Sequence, residues 1–206
     1  MDKSKEILKY LMSHYEHHTA ILYGSRAGVD FRNESDYDFL LIRPSGPRVR
    51  EIIDFEGSTI DLIVEDEHII SRPLDTLYLW QSKVLKDDKG FGSLLIENNK
   101  KLLSTPPQTM PMNRVKQRKK QVQDELIYLQ RTDVLGHFRR HDLLVKLRSL
   151  YLSFKQVWDL GDKHSFEWMR QNDLEAFRLF ENALRPEASF QDIKILAEFV
   201  LRIPQS

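Results

Sequence analysis

Three prolines fall within Ser104-Thr105-Pro106-Pro107-Gln108-Thr109-Met110-Pro111, and this stretch constrains the 206-residue chain more than any other feature. Proline has no amide N–H to give a helix or a central strand, and it pushes the residue before it out of helical geometry. No regular element should cross this span, so the chain reads as two pieces, 1–105 and 112–206. Their charges differ as well. The first piece, through Thr105, carries 14 basic and 18 acidic residues and the remainder 17 and 13, so the chain as a whole is neutral. That balance argues against a surface built for long nucleic acids, which is normally basic.

The first piece alternates helix and strand signals. Ile7, Leu8, Leu11, Met12 and Tyr15 share one helical face. Ala20-Ile21-Leu22-Tyr23 is a short apolar run stopped by Gly24-Ser25, and Phe39-Leu40-Leu41-Ile42 is a second. Both read as buried strands. Residues 51–55 and 59–64 flank Glu56-Gly57-Ser58, the signature of a hairpin with glycine in its turn. An extended piece is expected within 77–85, then turn chemistry at Asp87-Asp88-Lys89-Gly90, then a helix over 91–103. Beyond the prolines every apolar pattern is helical. Val122, Leu126 and Leu129 share a face, as do Leu143, Leu147, Leu150, Tyr151 and Phe154, and later Phe177, Leu179, Phe180 and Leu184. Ser189 with Asp192 predicts a capped last helix. The expected class is therefore α+β: a small mixed-sheet domain followed by an all-α helical bundle.

The chain has no cysteine, which removes disulfides, thiolate nucleophiles and thiolate metal sites from consideration. No signal segment or membrane-length apolar run is visible, so a cytoplasmic protein with no membrane partner is expected.

Candidate chemistry concentrates in Tyr23-Gly24-Ser25-Arg26-Ala27-Gly28 and Asn33-Glu34-Ser35-Asp36-Tyr37-Asp38-Phe39-Leu40. Residues two apart on a strand project from one face, so Asp36 and Asp38 should offer two carboxylates together, with Tyr37 opposite. Hard oxygen pairs of this kind suit Mg²⁺, which completes its shell with water and phosphate oxygens. The backbone N–H groups of Gly24 and Ser25, expected to lead into a helix, are placed to hold a phosphate. Asp61 lies among Ile60, Leu62, Ile63 and Val64, where an ionised group needs a cation or a donor, unless the strand simply exposes it at an edge.

A Gly-Ser turn, ten residues (Arg26 through Ser35), an Asp-x-Asp strand start and a later strand aspartate together resemble the nucleotidyltransferase superfamily that includes DNA polymerase beta. Within it the pattern is most similar to small bacterial enzymes that adenylylate aminoglycosides or lincosamides. The likeness covers roughly 22–64 and extends weakly over 82–87. It implies transfer of a nucleoside monophosphate, AMP from ATP, to a hydroxyl of a small acceptor such as an antibiotic, with release of pyrophosphate. It further implies Mg²⁺, two ions when nucleotide is bound, held by Asp36, Asp38 and Asp61. Asp61 could instead act as general base, and Ser25 with Arg26 would grip the phosphates, unless Arg26 is a solvated helix-start residue. In the aminoglycoside enzymes a carboxylate of the helical domain sometimes serves as base, a role open here to Glu125, Asp133 and Asp142. Two rival readings are an adenylylating regulator of a protein partner, of toxin–antitoxin type, and a non-catalytic nucleotide-binding scaffold. His137 and His141 have zinc-ligand spacing but no third ligand, and the basic run Arg114–Lys120 reads as a solvated helix face.

Overall fold

The computed structural model describes residues 2–28 and 35–204. Asn33 and Glu34, with the middle of the ten-residue spacer, lie outside the described residues. The chain divides into two compact units, Met1–Thr105 and Pro106–Ser206. Its class is α+β, a mixed five-stranded sheet with helices followed by a purely helical unit.

In the first unit helix α1 (Ser4–His14) precedes strands β1 (Thr19–Tyr23), β2 (Tyr37–Arg43), β3 (Val49–Phe55), β4 (Ser58–Asp66) and β5 (Ser82–Asp87), and helix α2 (Phe91–Leu103) closes the unit. The strand order is β3-β4-β2-β1-β5, with β2 parallel to β4 and every other pair antiparallel. Both faces of the sheet are covered, which is why β1 and β2 read as unbroken apolar runs rather than alternating ones. One face packs Leu22, Tyr37, Phe39, Leu41, Ile60 and Leu62 with Ile7 and Leu11 of α1. The other packs Ile21, Leu40, Ile42 and Ile63 with Leu95 of α2 and with Ile69 and Leu79 of two 3₁₀ segments.

The β3–β4 hairpin turns on Glu56 and Gly57, both with positive φ (51° and 73°). Two such residues make the turn whose twist matches that of the strands it joins. Glu56 is no glycine, and its carbonyl accepts from Lys3 Nζ at 2.9 Å, which fixes the turn. The extended piece expected from residue 77 begins only at Ser82. Residues Pro73–Trp80 form a 3₁₀ segment entered through Pro73, which presets helical φ.

Asp87, the last residue of β5, caps α2 from outside. Its carboxylate accepts from the N–H groups of Gly92 (2.9 Å) and Ser93 (2.9 Å) and from the hydroxyls of Ser93 and Thr19. Burial pushes this carboxyl up, but those donors outweigh it and hold the acid below its ordinary range. A depressed carboxyl stabilises the fold fully above its unfolded value of 3.8 and loses that contribution as pH falls through the folded value. Asp87→Asn is therefore expected to lower stability at neutral pH and to flatten its decline between about pH 5 and pH 2. Chemical denaturation across that range checks this, and parallel curves for variant and wild type would refute it.

The second unit holds α3 (Met112–Tyr128), α4 (Val134–Phe154), α5 (Asp162–Asn172), α6 (Leu174–Ala183) and α7 (Phe190–Arg202). Leu143, Leu147, Tyr151, Met169, Phe180 and Leu196 form its centre. Asp133 caps α4, Asp173 caps α6, and Ser189 with Asp192 forms a reciprocal capping box on α7. The Tyr151 hydroxyl donates to Asp173 at 2.8 Å, tying α4 to the start of α6. Among the described residues no helix is long and apolar enough to cross a membrane.

Candidate active site

The register of the three central strands places Tyr23, Asp38 and Asp61 side by side. Tyr23 pairs with Asp38 across β1–β2, and Asp38 with Asp61 across β2–β4. All three share strand parity with Ile21, Leu40 and Ile63, so they continue the face covered by α2 and end its apolar surface with polar groups. Sequence spacing alone could not supply this alignment. It depends on β2 and β4 being parallel neighbours with β3 looped outside them.

Gly24 then turns the chain with φ 70° and ψ −154°, a backbone conformation essentially reserved for glycine. An added Cβ would lie 2.2 Å from Oδ2 of Asp38. The glycine is thus required twice over, by its dihedrals and by the carboxylate packed against its backbone. The helix expected after Gly24-Ser25 is a correction. Ser25–Ala27 is a single 3₁₀ turn, closed by bonds from the Ala27 N–H to the Gly24 carbonyl (3.2 Å) and from the Gly28 N–H to the Ser25 carbonyl (3.1 Å), and the backbone is extended at Gly28. So short a turn aligns too few peptide dipoles to attract an anion as a helix does.

Arg26 is 8% exposed, which overturns its reading as a solvated residue. Its Nε donates to the Ser35 carbonyl at 2.6 Å, and its guanidinium sits 4.0 Å from the Tyr37 ring centroid. Tyr37 is fully buried, and its hydroxyl accepts from the backbone N–H of Lys3. Arg26 therefore clamps the two ends of the 26–35 segment together immediately before Asp36.

Asp61 lies on an interior strand, between β2 and β3, which excludes the edge-strand alternative. Its side chain is 16% exposed, and the compensating cation is Arg50 of β3, whose Nε and Nη2 reach the two carboxylate oxygens at 3.0 and 2.6 Å. The carboxylate in turn raises the Arg50 guanidinium above its ordinary value. Arg50 escaped the sequence reading, although the signal was present. The two-residue turn at Glu56-Gly57 pairs Ile52 with Asp61, and counting back two residues puts Arg50 diagonally across on the same face.

Asp36 is exposed, just ahead of β2. Among the described residues no group of three or more His, Asp or Glu side chains is disposed to hold a metal ion. Asp38 and Asp61 are in register, but Asp61 is engaged by Arg50 and Asp36 stands outside the strand. Asp36, Asp38 and Asp61 stay the candidates for a divalent ion, with Arg50 competing for Asp61. Two carboxylates fit Mg²⁺, which is commonly bound by one or two carboxylates plus phosphates.

Burial first, then Tyr78, Asp38 and Asp61, push the Tyr23 phenol above its ordinary value, so it stays a protonated donor beside the carboxylates. In the helical unit the three eligible bases are each engaged locally. Asp133 caps Gly136 and pairs with Arg131, whose side-chain hydrogen bond does most to hold it near 2. Glu125 and Asp142 share Lys146, at 2.8 and 2.7 Å.

Comparison of the chain with protein-family models and with curated proteins finds no match. Among solved structures it is similar to a nucleotidyltransferase-like protein from Exiguobacterium sibiricum, with 16% identity, 97% of this chain and 73% of that chain covered, and a TM-score of 0.46.

Proposed function

We propose that this chain is a nucleotidyltransferase that moves a nucleoside monophosphate, AMP from ATP, onto the hydroxyl of a small acceptor. The observation that carries the reading is the Gly24 backbone packed on the Asp38 carboxylate with Asp61 in register beside it. A carboxylate held against a glycine turn puts a cation site and a phosphate cradle within one side chain of each other.

In this reading Asp36 and Asp38 hold Mg²⁺, which when bound neutralises charge on the triphosphate. Gly24 and Ser25 offer backbone N–H groups and a hydroxyl to the phosphates, and Arg26, bonded to the Ser35 carbonyl, holds the turn beside Asp36. The acceptor oxygen bonds to the α-phosphorus, the bond to pyrophosphate breaks, and a carboxylate takes the hydroxyl proton. Asp61 is the candidate for that proton because it is in register with Asp38, and the Tyr23 phenol is a fixed donor toward the same end of the sheet.

The Arg50–Asp61 ion pair bears on the metal directly, since the guanidinium occupies a position a second cation would need. Arg50→Gln is therefore expected to lower the half-saturating Mg²⁺ concentration several-fold, read as metal-dependent thermal stabilisation without nucleotide. An unchanged or weaker Mg²⁺ response would show that Asp61 does not face the ion.

That same ion pair favours one rival, a nucleotide-binding scaffold without turnover, because it neutralises a carboxylate that chemistry would use. Incubation of the protein with Mg²⁺, α-labelled ATP and fractionated lysate separates the readings. Label on a small molecule supports the proposal, a labelled protein band supports a regulator that modifies a partner, and binding with no transferred label supports the scaffold.

A further inference from the structure

Helix α4 carries two apolar faces where a peripheral helix of a bundle needs one. Leu143, Leu147, Leu150, Tyr151 and Phe154 fill the core of the helical unit. Opposite them Val134, Phe138 and Val145 stand 85, 66 and 61% exposed. At 3.6 residues per turn these three fall within about 40° of one another, a single stripe. Ile127, Tyr128 and Leu135, also exposed, widen the apolar area at the junction of α3 and α4. Exposed apolar side chains gathered in this way mark an interaction surface when they form a contiguous patch.

The same stripe borders a recess. Between α3 and α4 lies a cavity of ≈ 590 Å³ lined by Val122, Val145, Leu150, Glu125, Lys146 and Ser149. The projecting Phe138 and the hollow at Val145 are two helical turns apart on one helix, so one surface carries both a projection and a receptor for it. A surface of that kind is satisfied by its own copy, because a two-fold axis makes residue i meet j and residue j meet i.

We propose that two copies of this chain associate antiparallel along α4, Phe138 of each entering the cavity beside Val145 of the other. This pairing does not depend on the nucleotide reading. Setting position 138 against 145 puts the two-fold axis between 141 and 142, and the polar residues there are complementary. Exposed His141 of one copy meets Asp142 of the other, whose carboxylate also pairs with Lys146 of its own chain at 2.7 Å, and the contact occurs twice. The same register puts Val134 opposite Ser149, which lines the cavity, so the two most exposed apolar residues of the stripe enter the same hollow. A different protein or a small amphipathic molecule in the cavity would leave the chain monomeric.

Light scattering on the full chain at micromolar concentration should return twice the 24.4 kDa protomer mass. Phe138→Glu should return a single protomer with an unchanged far-ultraviolet circular dichroism spectrum, since Phe138 is outside the core. The chain has no cysteine, so His141→Cys should form a disulfide-linked dimer on mild oxidation, while the exposed control Arg178→Cys on α6 should not. A monomeric wild type overturns the proposal, whatever else then covers the face. So does a dimer that survives Phe138→Glu, or one that cross-links at 178 as readily as at 141.

Discussion

Gly24→Ala is expected to reduce nucleotide transfer by two orders of magnitude or more while the sheet still folds. A methyl group at this position lies 2.2 Å from Oδ2 of Asp38, well inside van der Waals contact. Something must shift. Either the turn abandons φ 70°, ψ −154°, which alanine occupies only at a cost of about 1–3 kcal/mol, or the carboxylate is displaced. Both responses move the Gly24–Ser25 turn away from Asp38, and misplacement of about 1 Å is enough to cost 10²-fold in rate. Ser25→Ala removes one hydroxyl from the same turn without disturbing its backbone and should cost much less. Steady-state transfer rates of the two variants, with melting curves beside them, check the ordering. Near-normal activity in Gly24→Ala would mean that the contact between turn and carboxylate has no part in the chemistry.

The second large effect is expected at Asp38 itself. Asp38→Asn keeps the shape of the side chain but removes the charge, and the residue sits at the partly exposed start of β2, outside the packed interior. The fold should persist, with β2 anchored by Phe39, Leu40, Leu41 and Ile42, all fully buried. Transfer should fall by roughly 10²–10³-fold, the usual consequence of deleting one preorganised electrostatic partner of a developing charge. Asp36→Asn should fall less, because Asp36 is exposed and water can replace it in part. Equal losses at both positions would point to a symmetric two-carboxylate site. No loss at Asp38 would place the chemistry elsewhere.

Much of the fold was legible because its signals are local. Helix α2 runs over the expected residues 91–103, the hairpin turns where Glu56-Gly57 allows it, and Ser189 with Asp192 starts α7. Each rests on a few neighbouring residues whose chemistry has one good solution. The 3₁₀ segment at 73–80 was hidden because its apolar residues, Leu74, Leu77, Tyr78 and Leu79, satisfy a strand as well as a tight helix. The residues of the candidate site can be singled out from the sequence, and their electrostatic partners cannot. Gly24, Asp38 and Asp61 emerge from spacing and strand context. Arg50 and the burial of Arg26 do not, because they arise from a diagonal across two strands and from the closure of a segment on Tyr37. A carboxylate's partner is a tertiary fact. Strand pairing must be known before a cation two residues off register can be assigned to it.

In the proposed reaction a metal-bound triphosphate docks at Asp38 against the Gly24 turn. Isothermal titration of a non-hydrolysable ATP analogue into wild type and Asp38→Asn, each with and without Mg²⁺, tests this most directly. Binding to wild type should require Mg²⁺ and be lost in the variant. Binding that is indifferent to the metal, or equally strong in Asp38→Asn, would contradict it.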